Sequence, residues 1–264
     1  ATVVSRNLAV LTHRYTFETD ASDAIGSAPG TLQGGAQVAG GNLVLDGSSD
    51  TYVELPPGLL KDYDAVTIAA WVQFNAAATW ARLWYFGDDR ENEFYVAPSV
   101  NGATAHRYST GFPVGGSTMD ISPAWENQRL HITSVYGNGA MELYINGVSE
   151  RNLDDVTGRL SQVGDWHSWI GRSPYPDPFM NCSVEEFRVY RGRLSPEEIR
   201  VLIQGRVPAY ISWQQYLGNQ RRLSENRSFP GAQGADRAGK ALLSRVVDSM
   251  GRPMNTLKGS SHSM

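Results

Sequence analysis

A two-residue hydrophobic period constrains this chain more than any other feature. It recurs from residue 13 to 190 and is broken at short intervals by Gly-rich turns. Tyr15 and Phe17 alternate with Thr16 and Glu18, and Val53 and Leu55 with Tyr52 and Glu54. Val66, Ile68, Ala70, Val72 and Phe74 fall on one face of the next run, with Thr67, Ala69, Trp71 and Gln73 on the other. Further runs lie at 82–86, 93–96, 130–136, 141–145 and 184–190, separated by turns such as 46–50 and Asn146-Gly147. Successive side chains of an extended backbone point to opposite faces, so this period marks half-buried strands. Many such strands at short spacing predict an all-β protein, an antiparallel β-sandwich or jelly roll. The 27 Gly, 12 Tyr and 7 Trp favour strands and turns in the same way.

One short helix interrupts the pattern. Ser195-Pro196-Glu197-Glu198 sets Ser at an N-cap, Pro at the first helical position and Glu three residues after the Ser. Ile199, Leu202 and Ile203 then form an apolar stripe, which predicts a capping helix after the last strand. A second helix is predicted over 236–250, where Leu242, Leu243, Val246, Val247 and Met250 share a face.

Charge divides the chain. From Tyr210 onward there are eight basic and three acidic residues, a local charge of +5, whereas the remainder carries −9. The boundary is therefore drawn after Pro208 and Ala209: a sandwich over 1–209 and a basic C-terminal extension over 210–264. The extension is expected to dock on the acidic sandwich, to serve as a linker or to begin a further domain. The net charge of −4 gives no global basic field, which argues against a nucleic-acid partner. No apolar run reaches the roughly 18–20 residues of a membrane span. No charged-then-apolar leader precedes Ala1, as expected if a signal peptide is absent or has been removed. Cys182 is the sole cysteine, so neither an internal disulfide nor a thiolate metal site is available.

Six segments in register make the resemblance specific. They are His13-Arg14-Tyr15-Thr16-Phe17, Leu43-Val44-Leu45-Asp46-Gly47, 66–72, Met141-Glu142-Leu143-Tyr144-Ile145-Asn146-Gly147, Trp169-Ile170-Gly171-Arg172, and 184–190 running into the Ser195 cap. In this order and spacing the chain resembles the laminin-G-like jelly-roll domains of the concanavalin A-like lectin/glucanase superfamily, over about residues 10–205. The fold hosts lectins, adhesion modules, glycosidases and lyases, so function has to be argued from a site. The resemblance implies a secreted or surface-displayed carbohydrate-binding or adhesion module. Its expected partner is a glycan or polysaccharide, with other protein domains as further partners. It also implies one structural calcium ion between the first and last strands. Carried over residue by residue, the candidate ligands would be Glu18 or Asp20 after the first strand, the Asp46-Gly47 turn and Glu185, with Glu185 standing where Asp is common. The bland alternative is that Asp46 caps its own turn and Glu185 is a solvated strand residue.

Aromatic residues carry the binding expectation. Sugar rings stack their C–H faces on Trp and Tyr while polar neighbours hold their hydroxyls. The candidates are Trp80, Tyr95, Trp166, Tyr175, Arg172 and Asp177; Trp71 and Trp169 are expected in the core. A polysaccharide hydrolase or lyase is the alternative. Asp89, Glu91 and Glu93 alternate, and two carboxylates about 5 Å apart suit a retaining glycosidase. The stretch 87–92 nevertheless reads as a hairpin loop. His106 and Tyr108, with Arg82 nearby, would be acid/base candidates for lyase chemistry. A structural interaction domain of a larger surface protein is the third reading.

Overall fold

The computed structural model describes residues 9–88, 92–99, 106–111, 117–121, 125–156, 160–164 and 166–204. The expected helix at 236–250 and the extension at 210–264 lie outside them. Strands run β1 (Val10–Tyr15), β2 (Thr31–Gln33), β3 (Gln37–Ala39), β4 (Asn42–Asp46), β5 (Tyr52–Leu55), β6 (Ala65–Phe74), β7 (Trp84–Asp88) and β8 (Asn92–Ala97). They continue as β9 (His106–Gly111), β10 (Ser117–Ile121), β11 (Arg129–Gly137), β12 (Ala140–Ile145), β13 (Val148–Asp154), β14 (His167–Ile170) and β15 (Asn181–Arg191), before helix α1 (Pro196–Ile203).

Two antiparallel sheets form a β-sandwich. The first has the order β13-β12-β11-β6-β15-β4-β3, with β1 also paired to β15; the second has the order β10-β9-β8-β7-β14-β5-β2. The core lies between them. Val66, Ile68, Ala70, Val72 and Phe74 enter it from β6, as the sequence period predicts, and meet Trp84, Phe86, Phe94 and Val96 from β7 and β8. The Asn146-Gly147 turn joins β12 to β13 with positive φ at both residues, the geometry that favours this dipeptide in a tight hairpin.

β15 explains how one strand serves three partners. Its first half, 181–184, pairs with β4, and its second half pairs with β1, while β6 runs along the other side. The register against β6 shifts between Val184 and Glu186. That bulge changes the phase of the strand. Cys182 and Val184 are core residues before it, Phe187 and Val189 after it, and Glu185 and Glu186 both stay out of the core. A bulge opposes two residues to one and re-aims the side chains beyond it.

α1 begins with the expected capping box. The Glu198 N–H donates to Ser195 Oγ, and the Ser195 N–H donates to Glu198 Oε2 at 2.7 Å. Ile199 and Ile203 are buried, and Ile199 packs with Val135, Tyr144, Tyr190 and Leu194 on the outer face of the first sheet. That face is therefore partly capped by the helix. The outer face of the second sheet carries a separate aromatic cluster, and the candidate site lies there.

Candidate functional site

Cross-strand register assembles the aromatic face. Trp169 on β14 pairs with Tyr85 on β7, and Tyr85 pairs with Tyr95 on β8. Alternation sends Phe86, Phe94 and Val96 into the core, leaving Tyr85 and Tyr95 outward with Ala97. Tyr52 of β5 joins them, and Trp80 and Phe179 pack against the group. Arg172 lies over Tyr52 and Trp169, its guanidinium carbon 4.6 and 4.5 Å from their centroids. The stacked arginine covers one end of the band.

The other end opens into a pocket of about 340 Å³ lined by Trp80, Arg82, Glu93, Tyr95, Tyr175 and Asp177. Its segments converge from three places. Trp80 and Arg82 precede β7, tied to the β8 side by the Trp80 N–H donating to the Ser99 carbonyl at 2.7 Å and Leu83 N–H to Val96 at 2.7 Å. Glu93 and Tyr95 alternate outward on β8. Tyr175 and Asp177 descend from the connection between β14 and β15, where Ser173 Oγ donates to Asp177 Oδ2 at 2.7 Å and accepts from the Tyr175 N–H at 3.2 Å. Trp80 has a φ of +69°, a region costly for a bulky residue and one that concentrates at ligand sites.

Arg82 forms the floor. It is 2% exposed, and its guanidinium carbon lies 3.4 Å from the Tyr95 centroid, with Trp80 at 5.5 Å and Tyr175 at 5.9 Å. Glu93 Oε2 is 3.7 Å from Arg82 Nη2, an ion pair too long for a hydrogen bond. Arg82 Nε and Nη1 and Glu93 Oε2 are buried without hydrogen-bond partners among the described residues. Buried charges are normally both paired and hydrogen-bonded, so this arrangement is under-satisfied as it stands. The Tyr175 hydroxyl donates to Glu93 Oε1 at 3.3 Å. Burial pushes the Glu93 carboxyl above its usual range; Arg82 opposes that shift, and the charges of Asp177 and Asp88 add to it. Burial, then the Glu93 charge, also raises the Tyr175 phenol.

Of the expected binding residues, the structure brings together Trp80, Tyr95, Tyr175 and Asp177. Arg172 sits on the covered end of the same face, and Trp166 is 73% exposed and outside the pocket. Trp169 is buried as expected, but in the outer cluster rather than between the sheets. Trp71 is likewise buried on an outer face, with His131 edge-on at 4.9 Å. Glu93, expected as a catalytic candidate, lines the pocket. Asp89 and Glu91 lie outside the described residues, as do the side chains of His106 and Tyr108. The expected loop at 87–92 is shorter than the sequence suggested, because Gly87 and Asp88 pair with Glu93 and Asn92. Arg82, which the sequence marks only as a neighbour of lyase candidates, forms the pocket floor, and no local sequence signal points to that role.

The carried-over calcium ligands do not fit an ion as placed. Glu18 and Glu185 line one pocket, together with Arg14 and Glu186, but Asp20, Asp46 and Gly47 do not. Glu185 is engaged by Arg129, whose Nη2 donates to Oε2 at 2.7 Å. Asp46 and Asp20 accept from the N–H groups of Ser48 and Ser22 in their own turns, at 2.8 and 2.9 Å. Among the described residues no group of three or more His, Cys, Asp or Glu converges to hold a metal.

The sandwich and its strand order define a β-sandwich jelly roll. The Laminin_G_3 family, concanavalin A-like lectin/glucanases superfamily, matches residues 46–200, more than half of the chain. The chain belongs to that family. Among solved structures, domain 4 of AbnA, a GH43 extracellular arabinanase from Geobacillus stearothermophilus in complex with arabinotriose, is 24% identical with a TM-score of 0.63; the match covers 74% of this chain and 99% of that one. The botulinum neurotoxin serotype D binding domain is 15% identical with a TM-score of 0.59, covering 74% of this chain and 52% of its own. The binding domain of Paraclostridial Mosquitocidal Protein 1 is similar at 14% identity and a TM-score of 0.59, over 75% of this chain and 52% of that one. These likenesses show the fold. No curated protein sequence gives a significant match. No helix among the described residues is long and apolar enough to cross a membrane.

Proposed function

We propose that this domain is a carbohydrate-binding module and that the Trp80–Arg82–Glu93–Tyr95–Tyr175–Asp177 pocket is its recognition site. One observation carries the reading: aromatic rings and carboxylates from three separate segments meet in a single cavity of about 340 Å³. That volume lies in the range of small-ligand sites. Trp80 and Tyr175 offer flat apolar surface to the C–H face of a sugar ring, and Glu93 and Asp177 accept from its hydroxyls. The Arg82–Tyr95 stack fixes the floor beneath them and keeps Glu93 in place. The arabinanase domain solved with arabinotriose supports the reading by analogy of fold. An extracellular or surface location accords with it, because polysaccharides and cell-surface glycans lie outside the cell. The test is a glycan array and then calorimetry on the purified full chain. Binding that is lost in Trp80→Ala, with an unchanged melting transition, is the expected result; silence of the folded protein across the array would sink it.

A second reading is hydrolysis at the same pocket. Glu93 is a carboxyl raised by burial and placed in a cleft, the profile of a general acid. Its measurement is reducing-end release from polysaccharides. Release by the wild type that vanishes in Glu93→Gln would establish it.

A further inference from the structure

Granting that the pocket binds sugar, we infer that its ligand is an uncharged glycosyl unit read through its hydroxyl donors, and that carboxylated sugars are rejected. Among the described residues, the one cation lining the pocket is Arg82, and it is 2% exposed. Tyr95 covers one face of its guanidinium at 3.4 Å, and Trp80 and Tyr175 stand nearby. Recognition of a carboxylate by arginine needs the planar fork presented edge-on to the anion, with two parallel N–H donors free. Arg82 presents no such fork: its Nε and Nη1 are sealed from solvent, and Nη2 points toward Glu93.

What remains accessible is acceptor-rich. Asp177 has Oδ2 engaged by Ser173, which leaves Oδ1 for a ligand. Glu93 keeps Oε2 buried, and its Oε1 accepts from Tyr175 over a long 3.3 Å bond that a ligand hydroxyl can replace. Two lining carboxylates, Glu93 and Asp177, around one shielded guanidinium give a negative local field. A uronate or sialate brought into this site would meet like charge with no fork to receive it. A neutral sugar brings hydroxyl groups, which donate to carboxylates, while its ring stacks on Trp80 and Tyr175.

The experiment is calorimetry of the full chain against matched neutral and acidic ligands. Lactose is paired with sialyllactose, and xylo-oligosaccharides with the same oligosaccharides bearing glucuronic acid; arabino- and galacto-oligosaccharides are set beside oligogalacturonate. At least one neutral ligand should bind, and its acidic counterpart should bind at least tenfold more weakly at low salt. Asp177→Asn, checked for an unchanged melting transition, should narrow that gap by about threefold or more. Tighter binding of the acidic member, weakening as salt rises, would overturn the charge inference and leave the carbohydrate site standing. Failure of every ligand to bind folded protein would overturn both.

Discussion

The guanidinium carbon of Arg82 lies 3.4 Å from the centroid of the Tyr95 ring, at the floor of the pocket. This contact links the sheet to the site. Tyr95 is placed by its register against Tyr85, Arg82 is placed by Tyr95, and Glu93 is oriented by Arg82. A desolvated cation–π contact is worth about 2 kcal/mol. Tyr95→Leu keeps the apolar bulk and removes the ring. We expect it to lower stability by about 1–2 kcal/mol in urea titration, while Tyr95→Phe stays close to wild type.

Trp80 separates strain from recognition. Its φ of +69° suits glycine, and a bulky residue there costs roughly 1–2 kcal/mol. Trp80→Gly is therefore expected to change the melting temperature by no more than a few degrees, because relief of strain offsets lost packing. The same variant should weaken binding of the best neutral oligosaccharide by roughly ten- to a hundredfold, as a stacking surface is lost. Calorimetry and thermal melting on one preparation check both outcomes.

Glu93 gives stability a pH signature. Its carboxyl is raised in the folded state, so the fold favours the protonated form. The stabilisation from this group is fully present below the ordinary carboxyl range and is lost as pH rises through the raised value. Glu93→Gln does not titrate. The melting temperature of wild type minus that of Glu93→Gln should therefore be largest near pH 4 and fall as pH rises. A difference that grows with pH would contradict the burial of this carboxyl.

Asp23 holds the chain after β1 by a dense set of bonds. Its Oδ1 accepts from the N–H groups of Arg14, Ile25 and Gly26 at 3.0–3.1 Å, and its Oδ2 faces His13 Nδ1 at 2.7 Å. These bonds lower its pKa, outweighing burial, so the stabilisation is present above the ordinary aspartate range and fades as pH falls through the lowered value. Asp23→Ala strands several donors and should cost about 2–3 kcal/mol at pH 7, measured by denaturant unfolding.

Calcium should not matter to this fold. Glu185 is held by Arg129, Glu186 by Arg14 and Arg188, and Asp46 by its own turn. Melting temperatures in millimolar calcium and in EDTA are expected to coincide. A rise of several degrees with calcium would show that carboxylates outside the described residues complete a site.

Much of the fold was legible in the sequence, for physical reasons. The β6 face from Val66 to Phe74 is long and strictly alternating, so its period survives any packing detail. The Ser195 capping box and the Asn146-Gly147 turn depend on local chemistry that tertiary structure does not override. β2 and β3 have three residues each and are largely exposed, which leaves no period to read. β13 is a polar edge strand, half-buried at best along its length. The bulge in β15 shows in retrospect as two residues, Glu185 and Glu186, between the core positions Val184 and Phe187. Trp80, Tyr95 and Tyr175 could be named as aromatics in or beside loops and strand ends, and Asp177 as a polar neighbour on the loop before β15. Arg82 could not, since composition treats arginine as a surface residue and only the third dimension places it under a tyrosine.

β15 has a consequence for how the protein is made. It is the strand that joins β1, β4 and β6, yet it is the last strand among the described residues, and its register joins Val10 to Arg191. During synthesis the first strands leave the ribosome without the partner that zips them together. The first sheet closes only after residue 191 emerges, so β1 and β4 wait for nearly the whole domain to be translated before they are joined to β6. Such long-range pairing folds slowly, on the order of milliseconds to seconds, and exposes open strand edges in the interval. Truncations that stop short of β15 should therefore accumulate as aggregates, whereas a chain ending just beyond α1 should fold.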